Sequence, residues 1–467
     1  MWRGYSDDES RKIHQWDVIP SEWAVSQRED RPGYRQTAAF IASHKALFTA
    51  LDAEIKRYYE DNKQPVVELR RKFRFKNKIQ EAIKMHIKPS KMPIVVIVSG
   101  STVSGIGTRN SDVDLSICAP GCSEAVAPNP VNNEVEGDLK RYKDQWKTYD
   151  DLRRADYLKF LKKCSSAISK EKHAIGIASM ELVEAMVPII KLTANFEDEG
   201  EFHFIESDLA ASHEFFHPTL HNSRLIKGFC QADPRFAPLV TFIKAWGGSC
   251  GVRDGQHRRF NSYALTLLVI HFLQCGMPKP VLPNLQSLEE RWFLEKIDQG
   301  IEHSFPHLFA IDTKTYPEKI NFAAKFPCPL PVLPEELRNT MSLSELFFTF
   351  LCYYSDIDLH SHVIRIKQGR LSTRCNNAGH VCPNYERQEI YIEDPIDDHN
   401  PGRTVDNWHS VQMPFLDARN LFIRAVDPAS AYRFPLLEDL TFKIDWKNDV
   451  GFGWLESEAI RRGRERH

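Results

Sequence analysis

Residues 94–118, IVVIVSGSTVSGIGTRNSDVDLSIC, constrain the fold more than any other stretch of the chain. The continuous β-branched run IVVIV (94–98) is the mark of a buried strand. Gly100 and Ser101 open a loop, and a second short strand, DVDLSIC (112–118), follows it. Alternation along that strand turns Asp112 and Asp114 to one face and Val113 into the core. Two carboxylates on one face repel each other unless a cation lies between them, and hard Mg²⁺ prefers such oxygen ligands. The Gly-Ser start of the loop suits a phosphate, because glycine lets backbone amides approach the oxygens and serine adds a hydroxyl donor. One strand-loop-strand unit therefore places a phosphate cradle beside a metal pair.

A third carboxylate is expected on a neighbouring strand. Asp208 in FIESDLA fits, and Glu206, with the same strand parity, is its rival. The third acid would complete a second metal site and help to deprotonate an attacking hydroxyl, as in two-metal, in-line phosphoryl transfer. A lone D-x-D is more often a pair of solvated strand-end acids. The buried strand, the Gly-Ser loop and the downstream acid together argue against that origin.

Helical patterns flank this sheet region. TAAFIASHKALFTALDAEIKRYYED (37–61) carries apolar residues at helical spacing, and Pro65 opens a basic helix, VVELRRKFRFKNKIQEAIKMH. The Pro- and Asn-rich stretch 120–150 reads as a loop, and 150–168 as a basic helix. MELVEAMVPIIKLTA (180–194) and FHFIESDLA (202–210) are strand-like around the turn NFEDEGE. Helical segments return at 234–248, 262–274 and 342–355, with strand-like VIRIKQGRL (363–371) and QEIYIED (388–394) and helical NLFIRAV beyond them. The predicted class is α+β: a small mixed sheet, about 90–212, between helical regions that pack into one discontinuous domain, with a cleft between sheet and helices.

Composition narrows the partners. Lys+Arg of 61 against Asp+Glu of 63 leaves a formal charge of −2, without the basic excess of a protein that grips nucleic acid over a long footprint. Nucleic acid is then held locally, or another subunit supplies affinity. The basic helices 69–78 and 159–172 either meet phosphates or present solvated faces. Ten scattered cysteines read as buried thiols in a reducing compartment, and Cys375, His380 and Cys382 lack the second ligand pair of a zinc site. The polar N-terminus carries no signal-peptide core, and the apolar runs are too short to span a bilayer, so the expectation is a soluble, intracellular protein.

GSTVSGIGTRNSDVDLSI (100–117) resembles the nucleotidyltransferase motif of the DNA-polymerase-β superfamily. With VPIIKL (187–192), FIESDLAAS (204–212), ADPRFAPLVTFIKAW (232–246), NSYALTLLVIHFLQ (261–274), PVLPNLQ (280–286) and IEDPIDDHNPGRTV (392–405), the likeness narrows to cytoplasmic poly(A) polymerases and terminal uridylyltransferases, and within them to the germline-development branch. The resemblance covers roughly residues 35–425. It implies a catalytic domain over 76–212, a helical poly(A)-polymerase-associated domain formed by 14–75 and 213–450, and extensions at 1–13 and 451–467.

It also implies roles, residue by residue. Gly100 and Ser101 would hold the triphosphate, with two Mg²⁺ or Mn²⁺ ions on Asp112, Asp114 and Asp208. Asn222 would contact the ribose, Lys244 the phosphates, Ser262 the triphosphate, and Tyr263 would stack on the base. His399 and Asn400 fall in the nucleotide-recognition loop. The second lysine common in the family, one turn after Lys244, is here Gly248, with Arg253 or Arg258 as replacements. Asp394 to Asn400 has the shorter spacing of adenylating members, which favours ATP as substrate, although His399 keeps a group that could read uracil. The implied activity is adenylate addition to RNA 3′ ends in the cytoplasm, with an RNA-binding adaptor docked on the helical domain. A uridylyltransferase and an inactive scaffold are the alternatives.

Overall fold

The computed structural model describes residues 32–88, 94–109, 111–118, 154–185, 187–212, 218–285, 338–374, 388–395 and 400–426. The chain runs through helices α1 (Pro32–Ser43), α2 (Lys45–Asn62) and α3 (Val66–His86), strand β1 (Val96–Ser99), the single turn α4 (Ser101–Ser104) and β2 (Val113–Cys118). Helix α5 (154–170), the turn α6 (Lys172–Ile175) and strands β3 (Ile177–Val183), β4 (Ile189–Asp198) and β5 (Glu201–Ser212) follow. Then come α7 (Pro218–Ala232), α8 (Phe236–Ser249), α9 (Ser262–Cys275), α10 (Leu343–Asp356), β6 (His362–Arg365), β7 (Arg370–Thr373), β8 (Tyr391–Glu393) and α11 (Trp408–Val426). Two compact units divide the chain. Among the described residues, one is 62–227 and the other is 32–61 with 228–426.

The first unit is built on a five-stranded mixed sheet of order β1-β2-β5-β4-β3. Its one parallel pairing joins β2 to β5, and the others are antiparallel. Phe75, Ile79 and Ile83 of α3 and Leu161, Cys164 and Ile168 of α5 pack against Val96, Val98, Val113, Leu115, Leu192 and Leu209 in one core. This corrects two sequence readings. MELVEAMVPIIKLTA is not one strand but the two arms of an antiparallel pair, interrupted before Ile189 where Pro188 brings no N–H to a ladder. And α3 belongs wholly with the sheet, so the unit begins at 62 rather than 76, because its apolar stripe fills the sheet's core. The unit also runs on to 227, past the expected 212, taking in the first half of α7.

Helix α3 narrows the expected phosphate-binding or solvated basic face of 69–78 to Arg70 and Lys78, which are exposed. Lys72 and Lys76 are each only 3% exposed, and Arg71 and Arg74 both bond Asp198 at the end of β4. These four basic side chains are thus buried or paired within their own unit.

The second unit is mainly helical. The pattern 37–61 forms two helices, α1 and α2, that meet at His44. Every α9 residue from Ala264 to Cys275 is buried, as its lack of a polar face requires. A capping box of Ser342 and Glu345 starts α10, and Asp52 of α2 accepts the Leu343 amide at 2.7 Å. Phe48, Phe348 and Phe422 stack beside the Trp246, Phe350 and Phe415 group to fill the interior. VIRIKQGRL, expected as one strand, is the hairpin β6–β7, turning at Gly369 (φ +55°); β8 pairs parallel to β6. Among the described residues no helix is long and apolar enough to cross a membrane. The 120–150 loop, the Cys375/His380/Cys382 trio and both expected terminal extensions lie outside the described residues.

Candidate active site

The edge of β1 and β2 sets the geometry. Ser99 pairs with Asp114 across the antiparallel rung, and Asp114 pairs with Asp208 across the parallel one. Adjacent strands put such Cα atoms about 4.8 Å apart, so the acids from distant segments are direct neighbours. Asp112, exposed, stands one step before β2, and Val113 between the two acids is fully buried. Glu206 pairs with Thr193 and lies beyond the last β2 rung, Val113–Ser207. The register therefore favours Asp208 as the third acid.

Gly100 gives this edge its shape. Its φ of +68° with ψ of −151° is a conformation left to glycine, and a Cβ there would lie 1.8 Å from Asp114 Oδ2. Its amide does not point at an open cradle, as the sequence reading supposed, but donates to Ser223 Oγ at 2.7 Å. What Gly100 supplies is room for the Asp114 carboxylate. Ser101, half-buried, begins the single turn α4, and Thr102 Oγ1 donates to the Asp112 carbonyl at 3.3 Å. Asn222, beside Ser223, has a buried Oδ1 with no hydrogen-bond partner among the described residues. A hydroxyl donor such as a sugar's would satisfy it.

Burial holds Asp208 above the usual carboxylate range. Asp112 and Glu206 push it further up, while Lys191, its neighbour on β4, pulls it down. Like charges crowded around one carboxylate are what a divalent cation relieves, so the donor set fits a hard metal. Among the described residues no three acid, imidazole or thiolate groups are already gathered as ligands. With the Asp114 carboxylate lying against Gly100, coordination calls for rotation of side chains on a fixed register.

The second unit carries the remaining expected residues. Lys244 and Ser262 are half-buried, and Arg253 joins them: its Nε donates to the Lys244 carbonyl at 3.0 Å and its Nη1 to Ser262 Oγ at 3.3 Å. The guanidinium lies over Gly248, where a Cβ would come 2.6 Å from Nη2. Arg253 thus occupies the space that a side chain at 248 would take, whereas Arg258 points to Asp406. Tyr263 is half-buried at the start of α9. Asn400 is 4% exposed; its Oδ1 accepts from Ile392 and Gly402 amides and its amide donates to the Ile390 carbonyl and to Gln388. Its side chain shapes the loop and has no hydrogen-bonding group left for a ligand. His399 lies outside the described residues. Ser223, Gln64 and Lys72 were missed by sequence reasoning. Only Lys72 had a signal, its four-residue spacing from Glu68.

Residues 51–231 match a family model described as the central palm domain of mitochondrial-like poly(A) RNA polymerase, and residues 342–400 one described as Cid1 family poly A polymerase. Poly(A) RNA polymerase GLD2 of Homo sapiens is 24% identical over 364 residues, 78% of this chain and 62% of that protein. Poly(A) RNA polymerase gld-2 of Caenorhabditis elegans is 27% identical over 325 residues, 68% of this chain and 24% of that one. The chain thus spans less than two thirds of the length of these relatives. The fold is also that of solved structures. A Cid1 poly(U) polymerase bound to MgGTP superposes with a TM-score of 0.56 at 19% identity, covering 85% of this chain and 99% of that one. The GLD-2/RNP-8 complex gives 0.55 at 24%, with the same coverage.

Proposed function

We propose that the chain is a poly(A)-polymerase-like nucleotidyltransferase that adds adenylates from ATP to RNA 3′ ends without a template, a reading supported by the two matched family models and the GLD2 relatives. The observation that carries this reading is the Asp114–Asp208 rung beside Gly100, with Asp112 one step before it. Asp112, Asp114 and Asp208 would hold divalent cations, Mg²⁺ or Mn²⁺, which would supply charge neutralisation for the triphosphate and acidify the attacking 3′ hydroxyl. Asp208, the register neighbour of Asp114, stands where it can help to take that proton. Ser101 donates to phosphate oxygens, and Asn222 Oδ1 accepts from a ribose hydroxyl. On the second unit, Lys244, Arg253 and Ser262 bind triphosphate, Tyr263 stacks on the base, and His399 with the loop shaped by Asn400 reads it.

Two features favour an RNA-binding adaptor over autonomous RNA binding. The formal charge is −2, and of the basic residues of α3 named above Arg71 and Arg74 are paired with Asp198 while Lys72 and Lys76 are buried. A cytoplasmic site of action belongs to the same reading.

The test is extension of one oligoribonucleotide with each of the four nucleoside triphosphates, beside Asp112→Ala. Preference for ATP, lost in the variant, is expected. Preference for UTP would make the chain a uridylyltransferase, and no extension with any nucleotide would leave a scaffold.

A further inference from the structure

Lys72 is a charged side chain 3% exposed inside the sheet unit, and the reaction scheme above gives it no task. Its ammonium donates to Gln64 Oε1 at 2.7 Å and to Ser111 Oγ at 3.0 Å, and pairs with Glu68 Oε1 at 3.0 Å. All three N–H bonds are thereby used. Two of these partners control the metal-binding loop. Gln64 donates through its side-chain amide to the Thr102 carbonyl at 3.0 Å and through its backbone to the Gly107 carbonyl at 2.9 Å. Beside it Lys63 bridges Thr108, and the Arg109 amide donates to the Asn62 carbonyl at 2.7 Å. Ser111 directly precedes Asp112. The segment 62–64 and Lys72 thus clasp the loop between Gly100 and Asp112 at Thr102, Gly107, Arg109 and Ser111.

A neutral side chain could fill this space, yet burying an ammonium is costly unless nearby negative charge offsets it. Burial lowers the Lys72 pKa; Glu68 raises it, and the fields of Asp112 and Asp114 raise it as well. The interaction runs both ways: a positive charge under the loop offsets the repulsion between the two carboxylates while no metal is there.

We propose that Lys72 is an internal counter-cation and positioning residue for the metal-binding loop, fixing Ser111–Asp112 and stabilising the carboxylates when no divalent cation is bound. The inference rests on the metal role of Asp112 and Asp114 proposed above. Its electrostatic part predicts competition, since a bound cation and Lys72 act on the same acids.

The test is thermal melting of the full chain in EDTA and in saturating Mg²⁺, for wild type, Lys72→Met, Lys72→Arg, the double variant Glu68→Gln/Lys72→Met, and Asp112→Ala. Lys72→Met should lose more Tm in EDTA than in Mg²⁺, so its Mg²⁺-induced rise exceeds that of wild type. The rise should also reach half-maximum at about fivefold lower Mg²⁺, since a positive charge near the site is gone. The double variant, which leaves no unpaired Glu68, should keep the enlarged rise, and Lys72→Arg should restore the wild-type one. An equal Tm loss with and without Mg²⁺, in Lys72→Met or in the double variant, would make Lys72 a packing residue and overturn the proposal alone. A wild-type protein with no Asp112-dependent Mg²⁺ shift would overturn the metal reading and this inference together.

Discussion

Gly100 and Gly248 sit in different units, and each omits a side chain where a charged one occupies the space. At Gly100 the occupant is the Asp114 carboxylate, anchored on a strand, and the backbone itself stands at φ +68°. At Gly248 the occupant is the far end of Arg253, a flexible side chain, over an ordinary helical backbone. The first glycine is demanded twice, by conformation and by contact. The second is demanded only as long as Arg253 holds its place. Absence of a side chain is therefore a feature of the proposed chemistry in both units, but only one of the two is rigidly fixed.

The largest expected effect is at the rigid one. Gly100→Ala puts a methyl group on the Asp114 carboxylate, and displacing a metal-binding acid by about 1 Å costs on the order of a hundredfold in rate. The strained φ adds about 1–3 kcal/mol of destabilisation, read as a lower Tm. RNA extension at saturating ATP reports the first effect. Near-wild-type extension would show that Asp114 does not need the space, and the comparison would lose its stronger half.

A smaller, reversible effect is expected at the flexible one. Arg253→Met should raise the KM for nucleotide about tenfold, the loss of one charge-assisted contact, with kcat changed less. Gly248→Lys alone should also raise KM, by driving the guanidinium off Ser262. Combining the two gives the lysine an empty space, and the double variant should recover most of the affinity. If it binds nucleotide no better than Arg253→Met, Arg253 does not stand in for a lysine.

How far these features were legible in the sequence follows the same division. The strand-loop-strand unit could be read because a continuous apolar run and a period-two acid pair are local patterns, and Asp208 only with Glu206 beside it, because the two share strand parity. The partnering of Asp114 with Asp208 could not be, since register across 94 residues is decided by the whole sheet. Gly248 looked like a loss until the fold brought Arg253 over it. The boundary before α3 was missed because the stripe of Phe75, Ile79 and Ile83 says that a face is buried, not against which core. Lys72, Arg71 and Arg74 were taken for surface charge because charged side chains usually are, and only tertiary structure supplies Gln64, Ser111 and Asp198 as their partners.

Asp198 offers the contrasting way to house a charge, by bringing cations to it rather than by clearing space. Arg74 Nη2 lies 2.6 Å from its Oδ2 and Arg71 Nε 3.3 Å away. Hydrogen bonding from Arg74 holds its carboxyl below the usual range, against the opposing effect of burial, with Arg71 adding to the depression. A depressed carboxylate pKa contributes stability that is fully present above the unfolded-state value and lost as pH falls through the folded one. Asp198→Asn should therefore lower the Tm by a few degrees at neutral pH, and the gap from wild type should close below about pH 4. Extension activity should be unaffected below the melting range, because seven rungs of β4, about 24 Å, separate Asp198 from Lys191 beside Asp208. A Tm loss that persists unchanged into acid would mean that the asparagine disturbs packing. The guanidinium clasp would then be no counterpart to the space beside Gly100.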